Sequence, residues 1–158
     1  MRQPLVLKDV MKGLSGRVEL SAIDPKTGLV VARRKRENLV VTVGRYLVAD
    51  LLIATYGTGL HYCGIGVTDT EPDLLDVALA SEHSRRVVTL GSRTDNEAAL
   101  LTYFPRTESD CYIKEAGMFG GLATMIKDSG MLFCRGLIAY DNSAGTYDVS
   151  ILWTVTVG

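Results

Sequence analysis

The chain is short of the residues that most chemistry needs. It has only two histidines, one tryptophan, three cysteines and four prolines in 158 residues. Three cysteines with no close pair (Cys63, Cys111 and Cys134) exclude a disulfide framework and a Cys-x-x-Cys redox centre. They read as buried thiols. Neither His61 nor His83 has a recognisable serine or cysteine partner, and no Gly-x-Ser-x-Gly turn is present. No apolar run approaches the roughly 20 residues needed to span a bilayer. The Leu5–Leu7 triplet is too short for a secretory core of roughly 7–15 apolar residues. Lys plus Arg is 17 against 18 for Asp plus Glu, so no excess of one sign draws the chain to nucleic acid or a membrane surface. The expectation is a protein made in a cytoplasm without a signal peptide, with neither nucleic acid nor membrane among its partners.

What the sequence has in quantity is glycine, 16 residues, and period-two patterning. Many glycines with few prolines suit tight turns and bulges between strands. Val18, Leu20 and Ala22 alternate with Arg17, Glu19 and Ser21, and Asp24 to Gly28 reads as the turn of a hairpin returning along Leu29 to Arg36. Further strands are expected over His61 to Thr68, Ser84 to Thr94, Glu97 to Pro105, Cys111 to Phe119 and Met131 to Tyr140. The last, Tyr147 to Val157, carries Val149, Ile151, Trp153 and Val155 on one face. One helix is expected over about residues 40–54, from the Val43, Leu47, Leu51, Ala54 stripe. The reading is a mainly β fold: a β-sandwich of about eight or nine short strands, with that helix covering an end or an open face. An N-terminal arm (1–13) precedes a single domain (14–158).

Candidate sites reduce quickly. Gly64-Ile65-Gly66 has Asp69 where a dinucleotide loop needs its third glycine, so a tight strand is the better reading. His61, Cys63 and His83 lack further ligands at zinc spacing. Asp69, Glu71, Asp73 and Asp76 enclose Pro72 and lack the central glycine of a calcium loop. Glu108, Asp110 and Glu115 have no fixed separation from which to argue a glycosidase pair. No metal, cofactor or catalytic residue is assigned. Glu115 stands out because a glutamate inside an apolar strand wants a partner, and Arg85 or Arg135 would supply one.

Four motifs, in order, resemble tailed-bacteriophage virion proteins of the tail-fibre, collar or baseplate-associated type. They are Asn38-Leu39-Val40 with Gly44-Arg45 and Asp50-Leu51-Leu52; Cys63 to Thr68 followed by Glu71-Pro72; Leu79-x-x-Glu82-x-x-Arg85; and Ile113-x-Glu115-x-Gly117-Met118-Phe119, then Gly120-Gly121 and Phe133-Cys134-Arg135. Met118 stands where that family has leucine. The resemblance implies a jelly-roll-like sandwich that assembles symmetrically, an oligomer such as a trimer, and docks on other virion proteins. It implies structural, not catalytic, roles for Glu82, Arg85, Glu115, Gly117, Phe119 and Arg135. A capsid decoration protein of similar fold and a glycan- or receptor-binding module are the alternatives.

Overall fold

A computed structural model describes residues 13–52 and 59–158, so the arm expected over 1–13 lies outside the described residues apart from Gly13. The elements in chain order are β1 (Leu14–Ile23), β2 (Val30–Val40), α1 (Thr42–Leu52), β3 (Tyr62–Gly66), β4 (Glu82–Val87), β5 (Leu90–Thr94), β6 (Glu97–Phe104), β7 (Tyr112–Gly120), β8 (Met131–Asp141) and β9 (Asp148–Val157). The chain is mainly β, as its alternation requires, with one short helix.

The strands form one antiparallel sheet in the order β4-β3-β7-β8-β2-β1-β9-β6-β5. The two layers of the expected sandwich are the two halves of this sheet, curled so that they face each other. Val18, Leu20 and Ala22 of β1 and Val149, Ile151, Trp153 and Val155 of β9 line one inner face. Cys63 and Ile65 of β3, Ile113, Ala116 and Met118 of β7 and Cys134 of β8 line the other. Trp153 crosses the core, its indole Nε1 donating to Cys63 Sγ at 3.3 Å.

β2 is the hinge between the halves. It pairs with β1 from Val30 to Asn38, then with β8 only at Leu39 and Val40. Before that join the β2–β8 ladder lapses, leaving a narrow fork in which Glu37 and Asn38 still lie against Gly136 and Arg34 reaches the Ala139 carbonyl.

The helix begins at Thr42, two residues later than expected, because Leu39 and Val40 are claimed by the β8 pairing. β-branched residues favour that outcome. Gly44 then lets α1 lie directly on β8, since a side chain there would run into the Phe133 backbone. Leu47 is fully buried, with Val48 and Leu51 packed against the same core. Ala54, the last residue of the expected stripe, lies outside the described residues. The expected strand over Ser84 to Thr94 is two strands. The chain turns where the Val88 amide donates to the His61 carbonyl and the Thr89 amide to the Leu101 carbonyl.

Candidate functional site

The outer face of the β4-β3-β7-β8 half holds the motif residues. Register puts Arg85, Gly64, Gly117 and Arg135 in one row across four strands, and the next row carries Glu82, Gly66 and Glu115. Alternation explains why. Cys63, Ile65, Ala116 and Met118 point into the core, so the residues between them point out. The glycines leave room. A side chain at Gly66 would meet the Glu115 carboxylate at 2.5 Å, and one at Gly117 would meet Leu79 at 2.8 Å.

Two arginines fill the ends of the row, each closing a loop onto the sheet. Arg135 donates from Nη2 to Glu115 Oε2 at 2.8 Å and to the Thr70 carbonyl at 2.8 Å, and from Nη1 to Asp76 Oδ2 at 2.6 Å. Glu115 accepts in turn from the amides of Ser81 at 2.8 Å and Ala80 at 3.2 Å. Loop 67–81 is thereby held at both ends. Arg85 grips Glu82 with its fork, Nε to Oε1 at 2.6 Å and Nη2 to Oε2 at 3.0 Å. Its Nη1 donates to the carbonyls of Thr124 and Ser129 and to Ser129 Oγ, and the guanidinium lies 3.9 Å above the Phe119 ring. The Asp128 amide donates to Glu82 Oε2 at 2.8 Å. Loop 121–130 is held by this second clamp.

The expected partner of Glu115 is therefore Arg135, while Arg85 pairs with Glu82. All four side chains are within 1% of complete burial. Such buried pairs persist because charge-assisted bonds and backbone donors replace their water, with Arg135 Nε the one guanidinium nitrogen left without a partner. Phe119 and Leu132 form a small second core here with Val41 and Leu79. The six motif residues thus meet in one layer, whose evident chemistry is to fix two loops.

The other sequence candidates disperse. Glu108 is paired with Arg86 at 2.9 Å and Asp110 lies 3.4 Å from His83, both carboxylates reaching solvent, whereas Glu115 is fully buried against Arg135. Gly64-Ile65-Gly66 is the middle of β3, as the strand reading had it. Among the described residues no group of three or more His, Cys, Asp and Glu converges on a metal position. No helix among them is long and apolar enough to cross a membrane. All three cysteines are free and buried, and burial pushes the Cys63 thiol up to about 12 and the Cys111 thiol up to about 11.

Two contributors carried no sequence signal. Asp76 lies among other loop acids and is singled out only by Arg135 reaching it. Asn142, 2% exposed, donates to the carbonyls of Ser109 and Tyr147 at 2.9 Å each and accepts from the Tyr147 amide, tying two loops at the opposite end of β8. Its sequence context, Asp-Asn-Ser-Ala-Gly, signals only a turn.

Searches of protein-family models, curated proteins and solved structures each return no match to this chain.

Proposed function

We propose that this chain is a structural component of a tailed-phage virion, of the tail-fibre, collar or baseplate-associated type, that works by symmetric self-assembly and by docking on neighbouring virion proteins. The observation that carries the assembly part is what the two clamped loops present. Loop 67–81 exposes Leu74, Leu75 and Val77, and loop 121–130 exposes Leu122, Met125 and Ile126. Leu75 is 79% exposed and Leu122 76%.

Six of the exposed large apolar side chains fall on these two loops, and an apolar surface concentrated in this way is what a docking face offers. Each loop is fixed by a buried arginine, so the backbone that carries its apolar side chains is held in place before contact. Less ordering entropy is then lost on docking. The phage assignment rests on the ordered resemblance of the four motifs, and the loops supply the surface that such a part requires. A second copy of the chain is the occupant, because closed symmetric assemblies reuse one patch on every subunit.

The test is a Leu75→Glu/Ile126→Glu variant, both positions being exposed. It is expected to keep the parent melting temperature and to be missing from particles assembled in its presence. Incorporation at the parent level would overturn the proposal.

A further inference from the structure

We propose that the fork between β2 and β8 is a strand-acceptor site for an extended acidic segment of a partner protein, which pairs with the free edge of β2. This goes beyond the assembly reading. It concerns a different surface and stands or falls separately.

The backbone comes first. From Val30 to Asn38, β2 forms ladder pairs with β1 alone; β8 still lies against Glu37 and Asn38 at Gly136, so the unpaired edge runs from Val31 to Arg36. In place of a strand, arginine side chains occupy the other edge. Arg34 reaches across the fork, Nε donating to the Ala139 carbonyl of β8 at 3.3 Å, and its Nη1 donates to the Arg33 carbonyl at 2.8 Å. Arg36 repeats the pattern two residues on, Nη1 donating to the Lys35 carbonyl at 2.8 Å. One guanidinium touching both Ala139 and Arg33 places the Arg33 carbonyl on the fork side. Period-two alternation then places the Lys35 carbonyl there too. These are the acceptors that an added strand would use, held meanwhile by the chain's own side chains.

The charges choose the entrant. Arg33 and Lys35 flank Glu19 on the solvent face, at 3.8 and 3.2 Å. Arg34 and Arg36 stand opposite Leu20 and Val18, on the inward side, and have no carboxylate partner among the described residues. Arg34 lies instead 5.7 Å from the Tyr140 ring centroid. An entering strand with carboxylates at alternate positions would place them beside Arg34 and Arg36, while its amides take over the Arg33 and Lys35 carbonyls. Each guanidinium exchanges a neutral acceptor for a charged one. Below the join, a cleft of about 400 Å³ lined by Arg36, Glu37, Asn38, Leu39, Glu71, Pro72 and Leu137 leaves room for the segment's end, which must carry no carboxylate there because Glu37 and Glu71 share the lining.

The same charges exclude a second copy pairing β2 to β2, which would set four consecutive cations against four. Nucleic acid is less well matched. It would use the cations but leave the strand edge unsatisfied.

The probe is a synthetic peptide of about nine residues, enough to match the open edge. It has glutamate at alternate positions, and valine and threonine between. Controls are the same peptide with lysine for glutamate and a short DNA duplex. Fluorescence anisotropy should show the glutamate peptide binding best, and weakening as salt rises to about 0.5 M. Amide exchange should slow within residues 31–37. Arg34→Glu/Arg36→Glu should weaken the glutamate peptide by at least about tenfold and prefer the lysine peptide. Arg34→Gln/Arg36→Gln, checked by melting temperature, should fall between the two. The proposal is overturned by equal binding of the glutamate and lysine peptides, by preference for the duplex, by protection outside β2 and β8, or by dimerisation through β2.

Discussion

Glu115 is the residue on which the outer layer turns, because three donors on two elements converge on one carboxylate. Glu115→Gln keeps the shape and removes the charge facing Arg135. Removing one partner of a buried pair costs about 3–5 kcal/mol, so the urea midpoint should fall by a corresponding amount. A loss below about 1 kcal/mol, the range for exposed pairs, would contradict the burial described. The need for a partner at Glu115 was legible because the residue sits between Ile113 and Phe119 in an apolar strand. The choice of Arg135 over Arg85 was not, since it depends on which arginine the register sets beside Gly117 and which beside Gly64. The cysteines give a second test at this scale. Burial raises Cys63 from 9.0 to about 12 and Cys111 from 9.0 to about 11, and raises Cys134 further still. A group with a raised folded value contributes stability that is complete below the unfolded value and is lost as pH climbs toward the folded one. Each thiol should therefore remove about 1.4 kcal/mol per pH unit above pH 9. Chemical denaturation at pH 8, 9, 10 and 11 reads this directly, and a flat profile above pH 9 would refute it.

At the scale of elements, strands were legible where one face is buried. β1 alternates between core-facing Val18, Leu20 and Ala22 and more accessible residues, and β9 keeps Val149, Ile151, Trp153 and Val155 on its inner face, although Leu152 and the buried Thr154 blur its outer one. β2 was legible only as the return of a hairpin. Its fork is invisible in sequence, since it follows from where β8 stops following it. The helix was displaced at its start for a reason of the same kind: Leu39 and Val40 gain more from two strands than from a first helical turn. Gly44 separates packing from propensity. Alanine is favoured over glycine in a helix by about 1 kcal/mol, yet here its methyl would enter the Phe133 backbone. Overpacking typically costs about 1–3 kcal/mol, so Gly44→Ala should lower the melting temperature despite its better propensity. A stabilised variant would mean that α1 stands further from β8 than described.

For the whole molecule, composition and periodicity were enough to give the mainly β class, whereas the curl of nine strands into one sheet required the long-range pairings of β1 with β9 and β3 with β7. The result is a hydrophobic interior between the two sheet halves and, on the outer face of the β4-β3-β7-β8 half, rows of glycines and clamped charges that fix the apolar loops. The arm expected over 1–13 carries Leu5, Val6, Leu7, Val10 and Met11 within its first twelve residues. If the arm tethers neighbours, deletion of residues 1–12 should leave the melting temperature unchanged and reduce incorporation into particles. Normal incorporation would remove the arm from the mechanism. The most direct measurement of the central claim is electron microscopy of purified particles labelled with gold-tagged antibody against this chain. The account predicts label at one recurring, symmetry-related position on the tail, collar or baseplate. Particles without label, with the chain recovered only free in the lysate, would contradict it.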